Sequence, residues 1–195
     1  ATGVPTTISA TEDVASDVNL SSLSLDDVDA ADTAGGEIVL TLAVTAGTLA
    51  ATGNGDVAVA GAGTDSLTLT GTVADLNGFL SDAAAVQYTS AADANGTGAA
   101  TLTLTANDQG NTGSGGATDV VLGSADINIV AVNDAPVAIN DEFTLPEGVE
   151  YQLTAEQLLG NDFDVDEGDT PSIDEVTGDA TLNDDGTIAI EPFNG

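Results

Sequence analysis

Apolar and polar residues alternate in short runs along most of this 195-residue chain, with Gly, Asn and Asp between the runs. The clearest run extends from Glu37 to Val44, where every second residue is Ile, Leu or Val. A period of two predicts a β-strand with one buried face. Comparable runs predict further strands in the first two thirds of the chain, at 6–10, 66–71, 86–88, 100–105, 120–122 and 126–132.

The period changes once in this region, at residues 72–80. Thr72 is followed three residues later by Asp75, which is the spacing of a helix N-cap, and the apolar residues then recur at helical intervals. We therefore predict one short helix within a β domain, with a buried face formed by Val73, Leu76, Phe79 and Leu80.

The strand predicted at 126–132 runs into Val132-Asn133-Asp134-Ala135-Pro136. Pro136 has no backbone N–H and restricts Ala135 to extended conformations, so an interior strand cannot continue through it. Similar β-like segments with different lengths begin again beyond this point. We predict a complete β domain at 1–132, a linker at 133–136 and a second β domain at 137–195.

In the second domain we expect a helical turn that begins with the capping box of Thr154 and Gln157. Asp184-Asp185-Gly186 should turn the last pair of strands into a hairpin. The predicted strands are at 143–145, 151–153, 172–176, 180–182 and 187–190. Compared with the first domain, several strands are missing, so this domain is either partial or completed by a strand from another chain.

The composition narrows the chemistry sharply, because the chain has 33 acidic residues and no Lys, Arg, His or Cys. Disulfides, zinc sites with Cys or His ligands and salt bridges to basic side chains are therefore excluded. Nothing can neutralise phosphates, so we expect no nucleic-acid partner. No apolar run is long enough to span a bilayer, and we expect no membrane insertion.

A net charge of −33 opposes compaction by self-repulsion unless cations offset it. The hydrophobic content of 42% is too high for a disordered acidic tail, so the chain should fold. Carboxylates suit hard cations with oxygen ligands, Ca²⁺ above all. Adaptation to a saline habitat would also enrich surface acids and is the alternative explanation.

One acidic motif occurs twice with the same spacing, which favours calcium. Both copies read Asp-Val-Asp-x-x-Asp-Thr, at 27–33 and at 164–170, and each follows an earlier Glu. In extended chain, Asp residues at positions i and i+2 share a face at roughly 6–7 Å, so both can reach one cation. The alternative is an acidic turn in which Asp accepts hydrogen bonds from its own main chain.

Asn107-Asp108-Gln109-Gly110 follows a predicted strand end and is by itself an ordinary turn. Combined with the other acidic segments, it gives an oxygen-rich set drawn from four parts of the first domain and the linker. Neither copy of the repeat has the Gly and Glu positions of an EF-hand loop.

Several of these segments resemble the cadherin-like tandem repeats of large bacterial surface proteins, including RTX-type adhesins. The resemblance is carried by 132–136, the Asn-Asp-Phe-Asp-Val-Asp run at 161–166, the Asn-Asp-Gln-Gly run at 107–113, and 67–88. It implies an all-β fold of cadherin- or Ig-like Greek-key β-sandwiches in tandem, with one or two short helical turns. It also implies an extracellular, bacterial cell-surface location and Ca²⁺ at the seams between repeats.

The resemblance further implies which residues bind the metal. For the first domain and the linker, the implied ligands are Glu12, Asp27, Asp29, Asp108, Asn133 and Asp134. For the following seam, they are Glu147, Asp164 and Asp166. The second domain has no counterpart of Asp108 in this sequence, and Phe163 stands where the first repeat has Asp26.

Three functions are consistent with the sequence. The first is a calcium-rigidified spacer in a surface adhesin or fibre, whose partners are neighbouring repeats of the same protein. The second is a filament subunit that accepts a strand from an identical chain. The third is an enzyme or carbohydrate-binding module, which we do not expect, because catalysis would depend on carboxylates alone and the chain has no Trp.

Overall fold

We describe a computed structural model of the chain, in which residues 1–27, 36–110, 117–145, 148–166 and 168–191 are described. The chain divides into two compact units, unit 1 (Ala1–Val132) and unit 2 (Asn133–Gly195). Most of the regular structure is β-strand, as expected for a cadherin- or Ig-like β-sandwich.

Unit 1 is built from two sheets. The first has six strands in the order β1-β9-β8-β3-β6-β5, and the second has three in the order β2-β7-β4. The strands are β1 (Thr7–Thr11), β2 (Ser16–Asp17), β3 (Glu37–Val44), β4 (Thr48–Ala51), β5 (Ala58–Ala60), β6 (Ser66–Thr72), β7 (Val86–Thr89), β8 (Gly96–Asn107) and β9 (Val120–Val130). The chain passes repeatedly from one sheet to the other, so the two sheets share one core.

The alternation along β3 explains how that core forms. Ile38, Leu40, Leu42 and Val44 are all buried, whereas the residues between them face outward. The neighbouring strands β6 and β8 contribute Leu67, Leu69, Leu102 and Leu104 to the same side. Together with β7 and the helix, these strands enclose a cluster of 25 buried apolar residues among the described ones. At about 1.5–3 kcal/mol for each large apolar side chain buried, this cluster supplies most of the stabilisation of unit 1.

The predicted helix is present as α1 (Val73–Leu80). The Thr72 hydroxyl accepts the Asp75 N–H at 3.2 Å and donates to the Asp75 carboxylate at 2.6 Å, so the expected N-cap is confirmed. The buried face consists of Leu76, Phe79 and Leu80, while Val73 is half-buried and packs against the core. The helix therefore closes unit 1 beside β6.

Strand directions define two opposite ends of unit 1. β1 runs parallel to β9, with Thr11 beside Val130, while β8 runs antiparallel to β9, with Ala106 beside Val120. The turn after β8 thus lies at one end and the exit from β9 at the other. Eleven residues of strand, at about 3.3 Å each, separate the two ends by roughly 30 Å.

Two details of β9 differ from the sequence-based expectation. The segments expected at 120–122 and 126–132 form one continuous strand, which ends at Val130 rather than Val132. Gly123 lies between the two expected segments, and the chain accommodates it in an irregularity of the pairing with β8 between Leu104 and Thr105. The irregularity lets the strand continue where the sequence suggested a break.

Unit 2 is much smaller in its regular structure. It has β10 (Tyr151–Thr154), α2 (Ala155–Leu159), β11 (Ala180–Leu182) and β12 (Thr187–Ile190), and its three strands form one sheet in the order β10-β12-β11. The capping box of Thr154 and Gln157 is present at the start of α2. Asn183 to Gly186 turn β11 into β12 as an antiparallel hairpin, as predicted.

The strands expected at 143–145 and 172–176 are not formed. Phe143 is 40% exposed, and neither segment pairs with a strand among the described residues. Only Leu153, Ile188 and Ala189 are buried apolar residues in the described part of unit 2. Apolar composition alone therefore does not order these two segments.

Candidate metal centre

Glu12 is the one charged residue buried in the described part of the chain, at 1% exposure. It follows β1 directly, and its N–H donates to the Val130 carbonyl at 3.0 Å. Its Oε2 accepts the Val132 N–H at 3.0 Å, whereas its Oε1 is buried and has no hydrogen-bond partner among the described residues. Parallel pairing of β1 with β9 thus places this carboxylate at the exit from unit 1.

Burying an ionised carboxylate is costly unless hydrogen-bond donors and a positive charge compensate it. The Val132 N–H donates a hydrogen bond to Oε2, but no described residue donates one to Oε1. The chain has no Lys, Arg or His, so the compensating charge has to come from solution. An oxygen atom oriented by a fixed backbone suits a hard divalent cation. The residues at this site therefore fit the calcium that the sequence predicts.

In unit 2, a second group of carboxylates is held by main-chain hydrogen bonds. The Asp134 N–H donates to Asp166 Oδ2 at 2.6 Å, and the Asp166 N–H donates to Asp164 Oδ1 at 3.0 Å. Asp134 and Asp166 are both half-buried. Three of the predicted ligands therefore lie together in unit 2.

An isolated β-bridge explains this arrangement. Val137 and Phe163 exchange two main-chain hydrogen bonds, at 2.8 and 3.2 Å, and so bind the start of unit 2 to the segment that contains the acidic repeat. Ile139 adds a further contact, because its N–H donates to Asp162 Oδ1 at 2.8 Å. Because this bridge is antiparallel, residue 134 lies opposite residue 166, which brings Asp134 beside Asp166.

The local geometry of the second repeat differs from the extended form expected. Residues 164–166 form no strand, and Asp164 uses one oxygen to accept the N–H of Asp166, two residues on. Val165 is 36% exposed and does not pack into a core. The turn interpretation was therefore correct for the backbone of this segment, although Asp164 keeps a second carboxylate oxygen.

Asn133 is exposed, and its side-chain Nδ2 donates to the Asp134 carbonyl at 2.7 Å. This hydrogen bond leaves the amide oxygen of Asn133 as the atom available to a metal. Asn133 thus lies next to the carboxylate group of unit 2 and orients it through the backbone.

Asp27 and Asp108 lie elsewhere in unit 1. Both line a pocket with an apolar floor that includes Leu25 and Ile38. Asp108 follows β8 and accepts the Gly110 N–H at 3.0 Å, which is the ordinary turn of the alternative interpretation. This pocket lies at the end of the sheet opposite Glu12.

The strand directions and lengths separate Asp108 from Glu12 by roughly 30 Å within unit 1. One cation cannot bridge that distance. Two of the predicted ligands, Asp29 and Glu147, lie outside the described residues.

Asp26 and Asp162 are not among the metal ligands predicted from the sequence. Asp26 lines the pocket with Asp27 and Asp108, and Asp162 accepts the Ile139 N–H. Adjacent acids in the first repeat and the Asn-Asp-Phe-Asp run in the second were the available signals. These signals do not identify which segments lie next to each acidic run in the fold.

None of the helices in the described ranges is long and apolar enough to cross a bilayer. Residues 132–195 match the family model described as "Cadherin-like domain". No significant match was found among curated proteins or solved structures. Residues 132–195 are thus similar to cadherin-like domains, a type that serves as an adhesion or structural module and is usually extracellular and calcium-binding.

Proposed function

We propose that the chain is a calcium-rigidified structural module of an extracellular protein, acting as a spacer in a bacterial surface adhesin or fibre. The proposal rests on the buried Glu12 carboxylate, whose Oε1 accepts no hydrogen bond from any described residue. The chain also has no basic side chain that could neutralise its charge. A protein that keeps such a group at the exit of a folded unit requires a cation from solution for its full stability.

Chain connectivity supports a metal at the junction between the units. The Val132 N–H binds Glu12, and Asn133 and Asp134 follow immediately in the sequence. Asp134 is thus two residues beyond the last residue of unit 1 in the sequence. Asp134 is in turn hydrogen-bonded to Asp166 within unit 2.

The proposed calcium ligands form one group in each unit. They are Glu12 in unit 1, and Asn133, Asp134, Asp164 and Asp166 in unit 2. Without metal these carboxylates repel one another, and with metal they fix the residues that join the units. Asp27 and Asp108 would serve a different seam at the other end of unit 1.

The test is thermal unfolding of the full chain in chelator and then across a Ca²⁺ titration. We expect the midpoint to rise with Ca²⁺, because bound Ca²⁺ increases the free energy of unfolding by RT ln(1 + [L]/Kd), which is about 2.7 kcal/mol at a hundred times Kd. Mg²⁺ and NaCl at matched ionic strength serve as controls. An equal rise with NaCl would show general charge screening and contradict the assigned sites.

Glu12→Gln separates the proposed site from the rest of the acidic surface. This change keeps the hydrogen bond to Val132 available but removes one ligand charge, so we expect weaker Ca²⁺ stabilisation and a chelator-state stability that is unchanged or higher. Glu150→Gln removes the same charge from an exposed position and should leave the Ca²⁺ response as in the parent chain. An identical Ca²⁺ response for both variants would contradict the role of Glu12.

A second candidate function is a filament subunit completed by strand addition. It is favoured by the exposed apolar residues of unit 2, among them Ile139 (47%), Phe143 (40%) and Phe163 (49%), beside segments without ladder partners. Unpaired apolar strands promote such association. Sedimentation across a concentration series tests it, because a spacer remains monomeric where a filament subunit elongates.

A further inference from the structure

The described chain contains three Asn-Gly pairs, and the structure treats their Asn side chains differently. They are Asn54-Gly55, Asn77-Gly78 and Asn95-Gly96. A glycine after asparagine leaves the following main-chain nitrogen unshielded by a side chain, so these pairs are where an asparagine amide can react with its own backbone. The local structure decides which pair is able to do so.

Two of the asparagines are held by two hydrogen bonds each. Asn77 lies in α1, accepts the Leu25 N–H at 2.8 Å and donates to the Leu25 carbonyl at 2.9 Å. Asn54 Oδ1 accepts the N–H groups of Asp56 and Val57 at 3.1 and 2.9 Å. Both side chains must give up these bonds before they can rotate toward the next nitrogen.

Asn95 has no such restraint. It is exposed, and its side chain forms no hydrogen bond with any residue that the structure describes. Gly96 has φ +106°, and no atom lies within 4 Å of the position that a side chain there would occupy. The backbone is also irregular, since four steps along β8 from Gly96 to Ala100 face only two steps along β9.

We infer that Asn95-Gly96 is a self-modification site, at which the chain converts asparagine to aspartate and isoaspartate without an enzyme. The Gly96 nitrogen attacks Cγ of Asn95 and forms a new C–N bond, while the bond from Cγ to the side-chain nitrogen breaks. That nitrogen leaves as ammonia and carries the proton lost by Gly96. Water then opens the resulting cyclic imide at either of its two C–N bonds. No oxidant or reductant takes part.

The reaction changes the molecule in two ways. Each event adds one carboxylate to a chain that already has a net charge of −33. The isoaspartate product also routes the main chain through one extra carbon at the start of β8, the strand between β9 and β3. The extent of conversion therefore records the age of each molecule in its surroundings.

The experiment is incubation of the full chain at mildly alkaline pH, followed by fragmentation of the intact molecule in a mass spectrometer. Trypsin is of no use, because the chain has no Lys or Arg. We expect a gain of one mass unit to accumulate at Asn95 roughly ten-fold faster than at Asn54 or Asn77. That factor corresponds to about 1.4 kcal/mol of activation free energy, which is comparable with the net value of the hydrogen bonds to be broken.

Variants and a denatured control make the test decisive. Asn95→Gln should abolish the fast phase, whereas Asn54→Gln should leave it unchanged, with circular dichroism confirming that both fold. In denaturant the three rates should converge, because the restraints on Asn54 and Asn77 disappear. Fastest reaction at Asn54, where two N–H donors polarise the amide oxygen, would overturn the inference, as would a rate order that denaturation leaves intact.

Discussion

The two units of the molecule achieve order in different ways. Unit 1 has 25 buried apolar residues in its described part and 16 acidic residues among its 132. Unit 2 has three buried apolar residues in its described part and 17 acidic residues among its 63. The smaller unit thus carries more than half of the charge with a small fraction of the core.

This contrast indicates what each unit depends on. Unit 1 is held by apolar burial, which is insensitive to ions. Unit 2 is held by polar contacts, namely the Asp134–Asp166 and Ile139–Asp162 hydrogen bonds, the capping box of α2 and the turn before β12. Its order should therefore respond more strongly to cations and pH than that of unit 1, where the response is confined to the buried Glu12 and Tyr88.

The tyrosines allow the two units to be followed separately. The chain has no Trp and two Tyr, with Tyr88 in unit 1 and Tyr151 in unit 2. Tyr151→Phe leaves a fluorescence reporter for unit 1, and Tyr88→Phe leaves one for unit 2. Unfolding of each unit can therefore be measured in the variant that keeps only its own tyrosine, and hydrogen exchange reports on shorter segments.

The largest effect is expected from Leu40→Ala. Leu40 is completely buried in the centre of the sheet, so its truncation leaves a cavity and should lower the stability of unit 1 by about 3–5 kcal/mol. Leu153→Ala in unit 2 should cost about 2 kcal/mol, because a small core collapses around the missing atoms. Urea unfolding of the two reporters measures both losses, and equal values would contradict the contrast between the units.

Gly47→Ala and Gly186→Ala compare a crowded position with an open one at the same backbone conformation. Their φ values are +82° and +81°, so the strain of about 1–2 kcal/mol is common to both. At Gly47 the new Cβ would collide with the Thr89 carbonyl oxygen and lie 2.7 Å from the Tyr88 ring, which adds about 1–3 kcal/mol. Denaturant midpoints that shift equally would show that crowding is relieved by movement of Tyr88.

Loss of a helix cap should have a local effect in unit 2 and a muted one in unit 1. Thr154→Ala removes the capping box, worth about 1 kcal/mol, from a five-residue helix with no buried side chain. Thr72→Ala removes a similar cap from α1, which three buried side chains hold in place. Amide exchange should therefore accelerate throughout α2 but only in the first turn of α1. Thr→Ser at each site is the matched control.

The smallest effects are the pH dependences of the two units. Hydrogen bonds from the Thr187 hydroxyl and N–H lower the pKa of Asp185 below its usual 3.8, so the stability they give is present above that value and is lost as pH falls through the folded pKa. Burial raises the pKa of Tyr88 above 10.0, so its contribution is present below pH 10 and is lost as pH rises beyond it.

Asp185→Asn should remove the acid-side loss from unit 2, and Tyr88→Phe should remove the alkaline loss from unit 1. Circular dichroism titrations at low and high pH measure these changes. A pH profile that neither variant alters would show that other groups dominate the titration.

The fold was predictable wherever one face of an element is buried. The period of two along β3 gave its exact bounds, and capping residues located the starts of α1 and α2. The segments at 143–145 and 172–176 have the same kind of composition but form no strand. A strand forms only where it can pair with another strand, and the local alternation of residues does not identify that second strand.

The sequence suggests candidate metal ligands one by one but does not indicate which of them lie together. Asp27 and Asp108 lie around one pocket, and Glu12 lies at the other end of the sheet. The predicted strands at 100–105 and 126–132 already implied this division, because a hairpin turn and the free ends of its strands lie at opposite ends. By contrast, the position of Glu12, whose buried Oε1 has no hydrogen-bond partner among the described residues, depends on the parallel register of β1 and β9. No local sequence pattern indicates that register.

That same pairing sets how unit 1 responds to tension. Its first strand runs parallel to its last, in a register of five residue pairs from Thr7 with Asp126 to Thr11 with Val130. Pulling on the chain before β1 and after β9 draws the two strands past each other in shear, so the hydrogen bonds between them bear the load together instead of opening one by one. Forced unfolding is governed by the barrier to this event. Unit 1 should therefore resist extension far more strongly along its chain ends than when it is pulled from the edge strand β5.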